Sequence, residues 1–388
     1  MSRVSKNQKI LIPTGILLGE DSICNLDNER SILLEAIKNS EHLVIYGRRN
    51  TGKTSLVTGV GIQAFKKLNK KSIVIFADLL GVLSIDDLEG RFKRGLEKGL
   101  SESFPTKTFA KNVVAGLKNL QPKIGLDPNT GKLEFQLEVK SSSGKTTLEQ
   151  LILEINALSQ KIPVLIVLDE FQDLYFVKSG VATLRSALQN LKSNLPIIIL
   201  GSKKHLLSKI FAIHRAPMAG WGRDLEIPVV ETPEYLKSYK TFVNNYFEQC
   251  KSNIGTEELK FLVEQMQGVP ESINIVCNYL IRTSNEKIFS KNDILNAVIN
   301  VAEERRGRYE EMFARLKSNE RSVLTAIAKN SPVNQIKSKD FLSKVGNVAP
   351  TSVLHAARKL EDHAEIYKTE QGFVVAEPLL GVYLREFK

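Results

Sequence analysis

The sequence predicts an α/β fold: a doubly wound parallel sheet, followed by a helical lid domain and a winged-helix domain. Three observations carry that expectation. Between about residues 26 and 230, short apolar runs alternate with amphipathic helical stretches, the pattern of a parallel sheet buried on both faces. One strand-to-helix junction, Gly47 to Thr54, fits G-x-x-x-x-G-K-[ST] in full. From residue 317 onward, three helical stretches precede a hairpin, which is the order of a winged helix.

The junction comes first because the rest is arranged around it. Leu43 to Tyr46 reads as a short buried strand, and a helix starts at Thr54. Gly47 and Gly52 let the backbone curl so that its N–H groups face a triphosphate, and the helix N-terminus adds the positive end of a dipole. Lys53 is placed to reach the β and γ phosphates, and the Thr54 hydroxyl to ligate Mg²⁺. Arg48, Arg49, Asn50 and Thr51 complete the loop and Ser55 follows it, so residues 47–55 are the candidate ATP-binding set of a P-loop NTPase.

Before the loop, residues 1–20 read as a basic, irregular arm. Leu26 to Lys38 has helical spacing, with Asp27 or Asn28 able to cap it and Glu29 and Arg30 as candidates for the edge of a bound base. After the loop, a helix runs to about Leu68, and Lys71 to Asp78 is a second core strand ending in an acid. Ligands of such sheets sit at the carboxyl ends of strands, which places Asp78 near the nucleotide or in a turn.

A helix over about 86–100 leads to an unusual passage. Leu133, Phe135, Leu137 and Val139 alternate with polar residues, and Asp127-Pro-Asn-Thr-Gly131 precedes them as a turn. This is a hairpin insertion near 120–140 that either caps the sheet or meets a partner. Ser141 to Thr147 imitates a phosphate loop, but position 139 is Val where the motif needs Gly; the segment is expected to cap a helix over 147–160.

Pro163-Val-Leu-Ile-Val-Leu-Asp-Glu170 is the second strong signal: an apolar strand ending in Asp-Glu. With a phosphate loop present, Asp169 would hold the Mg²⁺ shell and Glu170 would polarise the attacking water, with Gln172 and Asp173 on an exposed turn beyond. Leu195 to Ser202 is the next strand, and Ser202 at its tip is a candidate to sense the γ-phosphate or place the water. Arg185, Arg215 and Arg223 are each candidates to reach the nucleotide of a second copy, so monomer and homo-oligomer both stay open. Asp224 to Val230 closes the sheet.

After Pro233 the character changes. Tyr235–Cys250, Thr256–Gln267, Pro270–Ser284 and Lys291–Tyr309 read as four helices, with Gly268-Val-Pro270 starting the third. Three further helices follow at Asn319–Lys329, Lys337–Val345 and Ala349–His363, then a hairpin around Glu370-Gln-Gly372. The expected units are an ATPase core over 1–232, a helical lid over 233–316 and a winged helix over 317–388. Residues 321–360 hold seven basic residues against one acid. The second helix of a helix-turn-helix reads the major groove, so Thr351, Ser352, His355, Arg358 and Lys359 are the nucleic-acid candidates. Double-stranded DNA or a protein is the expected partner, since winged helices dock both and the hairpin is acidic.

Composition sets the frame. Across 388 residues, 42% hydrophobic and 25% charged is ordinary globular composition. A net charge of +11 favours an anionic partner. Cys24, Cys250 and Cys277 form no C-x-x-C pair, so neither a zinc site nor a disulfide framework is expected, and a reducing cytoplasm is. The first residues carry no cleavage signature, and no apolar run is long enough for a membrane span.

The order G-R-R-N-T-G-K-T-S-L, V-L-D-E-F-Q, I-I-I-L-G-S-K-K-H-L, G-V-P and a winged helix resembles the archaeal-type ATPase family. That family belongs to the signal-transduction ATPases with numerous domains and is related to the origin-recognition AAA+ ATPases. The resemblance covers about residues 20–388 and implies ATP binding, slow Mg²⁺-dependent hydrolysis and an ADP-bound resting state. It carries over Lys53, Thr54, Asp169 and Glu170, Ser202 as the first sensor, and Pro270 as the residue packed on the base. The family's aromatic-and-arginine motif near the N-terminus has no clear counterpart here.

Overall fold

The computed structural model describes residues 11–16, 19, 23–104, 120–126, 133–139, 147–189, 191, 195–212, 215–283, 288–346 and 348–388. Its centre is a five-stranded parallel sheet ordered β2-β5-β6-β1-β7, built from β1 (Leu43–Tyr46), β2 (Ile73–Asp78), β5 (Val164–Asp169), β6 (Ile197–Gly201) and β7 (Arg223–Glu226). Alternate residues of each strand enter two separate cores. Leu43, Ile45, Leu165, Val167, Ile198 and Leu200 face one, and Val44, Ile73, Ile75, Ile166, Leu168 and Ile199 face the other. That double burial is why these strands read as unbroken apolar runs.

The first face is covered by α1 (Asp27–Asn39) and by the helix after the loop. The latter is α2 (Lys53–Leu56), continued through a π-helical turn (Val57–Gly61) into α3 (Ile62–Leu68). No side chain caps α1: the buried Leu26 sits at the cap in the left-handed region, and neither Asp27 nor Asn28 fills that position. The second face carries α4 (Ile85–Ser103), α5 (Thr147–Ser159) and α6 (Gly180–Leu188). The expected hairpin is present as β3 (Leu120–Leu126) and β4 (Leu133–Val139). Leu133, Phe135 and Leu137 are buried in the core that holds α4 and α5, and the Glu97 carboxylate accepts from Leu137 N at 2.7 Å. The hairpin therefore covers this flank of the core through β4. Its turn at 127–132 and the imitation loop at 141–146 lie outside the described residues.

Past β6 come α7 (Lys204–Leu207) and a second π-helical turn (Ser208–Ala212). β7 ends at Glu226, shorter than the sequence suggests; residues 227–230 run on as a partly buried connection, with Val230 N bonded to Gly268 O at 2.9 Å. Then follow α8 (Pro233–Gln249), α9 (Thr256–Gln265), α10 (Pro270–Thr283), α11 (Lys291–Glu304) and α12 (Arg306–Arg315). The last two replace one expected helix, broken at Arg305.

The C-terminal region has α13 (Ser318–Asn330), α14 (Lys339–Val345), α15 (Pro350–Asp362), the hairpin β8 (Ile366–Thr369) and β9 (Gly372–Val375), and a further helix, α16 (Pro378–Phe387). The sequence pattern does not announce α16. It packs along α11 and α13, so the winged helix shares one continuous core with the helical region. No described helix is long and apolar enough to cross a membrane.

Candidate nucleotide-binding site

The loop between β1 and α2 lies at the carboxyl end of the sheet, beside the tips of β5 and β6. Gly47 is required by a close approach: a Cβ there would stand 2.8 Å from Ile227 O. Thr51 Oγ1 donates to Arg48 O at 2.9 Å and staples the curl. The Lys53 ammonium donates to Gly47 O at 3.0 Å and Arg48 O at 2.6 Å. Burial lowers its pKa to about 8, opposed by the nearby Glu170 and Asp169 carboxylates. Thr54 Oγ1 donates to Asp169 Oδ2 at 2.8 Å, which joins the two expected metal ligands across 115 residues. Burial pushes the Asp169 carboxyl up, and the Thr54 bond pulls the other way. Asp78 pairs with Asp169 in the strand register, but its side chain is exposed and accepts from Leu80 N, so it serves the turn.

Glu170 leaves β5 with φ +49°, a left-handed conformation that holds its side chain toward β6. Ser202 Oγ donates to Glu170 Oε2 at 2.9 Å, and the Gln172 amide donates to the same oxygen. Gln172 and Asp173 are buried, not on an exposed turn. They are drawn in by the 3-10 helix Phe171–Phe176, and Asp173 bonds Lys203 and Gly81 N, each at 2.9 Å.

A cavity opens beside the loop. It is lined by Asn50 to Gly52 and Ser55, and walled by Pro270, Tyr235, Tyr239 and the segment at 13–15 and 23–26. Its wall is held by a polar clamp. Tyr239 Oη donates to Pro270 O at 3.1 Å, and Asn274 Nδ2 donates to Pro13 O at 3.2 Å. Asn278 bonds both Ile12 N and Ile12 O at 2.8 Å. Arg30 donates to Ile23 O at 2.6 Å, so it shapes this wall through a neighbour's backbone. Sequence reasoning finds Pro270 and misses Tyr235, Tyr239 and Asn274. The i, i+4 spacing of the two tyrosines is visible in the sequence but reads equally as core.

Three loop residues behave unlike Lys53 and Thr54. Arg49 and Asn50 are exposed. Arg48 is buried, and its guanidinium turns away from the curl. It donates to Gln267 Oε1 at 2.7 Å, Gln267 O at 3.3 Å and Ala376 O at 3.2 Å, and lies over the Tyr367 ring. Burial lowers its pKa to about 10, so it stays charged at neutral pH.

The nucleic-acid candidates occupy one side of α15: Thr351, His355 and Arg358 are exposed, and Ser352 and Lys359 half-buried. The helix's other end is tied to α7, the short helix after β6, by His205, whose ring meets Asp362 at 3.0 Å. Of the arginine candidates, Arg185 is bonded to Pro217 O and Arg223 to Glu35, while Arg215 is exposed.

For Mg²⁺, the residues present fit. Among the described residues no group of three or more His, Cys, Asp or Glu side chains could hold a metal. The Thr54 hydroxyl and Asp169 carboxylate make a sparse oxygen pair, the donor set Mg²⁺ takes when substrate phosphates supply the rest.

Residues 307–386 match the family model described as "Probable winged helix domain". No curated protein matches the chain. Among solved structures, a Walker-type ATPase of Pyrococcus abyssi is similar at 20% identity and TM-score 0.62, over 97% of this chain and 100% of that one. The ORC2 protein of Aeropyrum pernix, solved as ADPNP-ADP complexes, is similar at 13% identity and TM-score 0.53, over 97% and 95%. The chain thus has the P-loop ATPase fold of these archaeal proteins, with a winged helix at its C-terminal end.

Proposed function

We propose that the protein binds ATP with Mg²⁺, hydrolyses it, and uses the cycle as a switch that moves its winged helix. The carrying observation is Arg48: one residue of the phosphate loop is bonded to the helical region through Gln267 and to the winged helix through Ala376. A change in the loop's curl is thereby felt in both. The ADPNP and ADP in the Aeropyrum pernix structure support an adenine nucleotide as ligand.

In this reading Lys53 meets the phosphates, and Thr54 and Asp169 hold Mg²⁺, which when bound neutralises charge on the phosphate oxygens. Glu170 orients water toward the γ-phosphorus and takes its proton as the bond to the β-phosphate oxygen breaks. Tyr235, Tyr239 and Pro270 pack around the base. The test is ATP turnover with and without duplex DNA, beside Glu170→Gln. Turnover lost in the variant with ATP binding kept is the expected result; equal turnover by the two proteins would sink the assignment. Stimulation by DNA makes DNA the winged helix's partner; with turnover indifferent to DNA, a direct duplex-binding titration separates a protein partner from DNA binding that is uncoupled from ATP.

One observation favours a second reading. α15 exposes Thr351, His355 and Arg358, with Lys359 half-buried beside them. A DNA-binding regulator with a mainly structural nucleotide would bind DNA in a salt-dependent way that ignores ATP.

A further inference from the structure

We propose that Gln172 is the positioning residue of the site: it fixes the Glu170 carboxylate to the tip of β6 so that Glu170 and Ser202 act as one unit. This rests on the ATPase reading above and names a residue that reading does not use. Gln172 is fully buried at 0% exposure, two residues past Glu170, between the core residues Phe171 and Leu174. Both ends of its amide are committed. The carbonyl oxygen accepts from Ser202 N at 3.1 Å, and the amide nitrogen donates to Glu170 Oε2 and, at 3.4 Å, to Asp173 Oδ1. Ser202 Oγ reaches that same Glu170 oxygen at 2.9 Å. The result is a closed ring: Glu170 to Gln172, Gln172 to the Ser202 backbone, and the Ser202 hydroxyl back to Glu170.

The ring is held from outside as well. A Cβ on Gly201 would stand 2.5 Å from Gln172 Oε1, so the bare backbone at the end of β6 is what admits the amide. Asp173, the amide's weaker acceptor, is fixed by Lys203 and Gly81 N, each at 2.9 Å. Amides suit this position because they donate and accept at once without adding charge. A carboxylate would keep the acceptor but repel Glu170, and an apolar group would leave Ser202 N buried without its partner. A base held within a fraction of an ångström of its productive place is worth far more than a free one, so loosening Glu170 reads out in the chemical step.

The experiment compares Gln172→Met and Gln172→Glu with wild type and Glu170→Gln. It measures kcat and KM for ATP with Mg²⁺, equilibrium binding of ADP, and thermal unfolding. Gln172→Glu keeps the acceptor for Ser202 N and replaces the donor to Glu170 with a repelling carboxylate, so it tests positioning while the bond to Ser202 N is kept. Each folded Gln172 variant is expected to lose about ten- to a hundred-fold in kcat, within the range general-base catalysis supplies, with KM and ADP affinity within about two-fold of wild type. Gln172→Met serves if the buried charge of Gln172→Glu prevents folding. Wild-type kcat in either folded variant overturns the proposal. So does a parallel loss of kcat, ADP affinity and melting temperature, which would make Gln172 a structural brace. No turnover by the wild-type protein, or undiminished turnover by Glu170→Gln, would instead remove the ATPase reading itself.

Discussion

At the tips of β5 and β6 the polar side chains are buried and bonded to one another, while along α15 they stand in solvent above an apolar seam. Asp169, Gln172, Lys53 and Ser202 are all under 9% exposed, and each makes at least one bond to another part of the same site. Thr351, His355 and Arg358 are exposed, with Val353, Ala356, Ala357 and Leu360 turned inward beneath them. Burying polar groups opposes folding unless each finds a partner, so a cluster of satisfied ones reports a fixed local geometry. An exposed row has no such cost and fixes nothing by itself. The first region specifies a chemistry; the second specifies only a surface that a partner can meet.

The sharpest way to break this contrast is Lys53→Met. Turnover is expected to fall by about a hundred-fold or more, the scale set by removing one electrostatic clamp on a reacting group. Stability should move the opposite way. The Lys53 pKa, lowered to about 8 by burial, means that the folded state disfavours the charged form. Below pH 8 both states carry the proton and the full penalty applies; between about 8 and the ordinary lysine value the unfolded chain alone holds it, so stability rises with pH. Met removes that penalty and leaves the Gly47 and Arg48 carbonyls without a donor. The expected net gain is roughly 1–2 kcal/mol at pH 7, seen as a higher melting temperature in an inactive protein. A lower melting temperature would show that the ammonium is structural.

Arg48→Ala probes the seam between the two regions and has a smaller expected effect. It removes bonds to Gln267 and Ala376, for a loss of about 1–3 kcal/mol, and frees the winged helix from the loop. Hydrogen exchange should quicken around 366–376, with ADP affinity little changed. A loss of nucleotide binding as large as that of Lys53→Met would return Arg48 to the phosphates, where its place in the motif puts it.

How much of the fold and site is legible in the sequence follows from the range of each signal. The strands at 43–46, 73–78, 164–169 and 197–201 are local, so apolar runs ending in Gly, Asp or Ser announce them. Thr54 and Asp169 are readable as candidate metal ligands because each stands at a fixed offset in its own motif, although the bond between them spans the sheet. Gln172 is misread because Gln-Asp after a strand end has the character of a surface turn, and the bare edge at Gly201 makes room for it. The cavity beside the loop is half visible. Pro270 has a motif, but Tyr239, Asn274 and Pro13 meet through bonds between residues 35 and 261 apart, and no periodicity encodes that. The helix α16 escapes notice because its apolar face continues a hairpin that completes the winged-helix order.

The smallest effect on stability, and the one that decides what the second region is for, belongs to α15. Replacing His355 and Arg358 together by Ala should change unfolding free energy by no more than about 0.5 kcal/mol, since both are exposed and the apolar seam beneath is untouched. Arg315 to Glu311 and Lys344 to Asp340 are ordinary surface pairs that would serve as controls of the same size. If α15 enters a major groove, the double variant binds duplex DNA several-fold more weakly at low salt. The slope of log affinity against log salt drops by about 1 for each phosphate that is no longer neutralised. The tie between His205 and Asp362 adds a second arm, because it holds the end of α15 against α7, the helix that follows β6. His205→Ala should then alter how ATP changes DNA affinity while leaving the affinity without nucleotide close to wild type. Unchanged DNA binding in the His355 and Arg358 variant would reassign this face to a protein partner, and the comparison would then be between a chemical site and a docking site joined by Arg48.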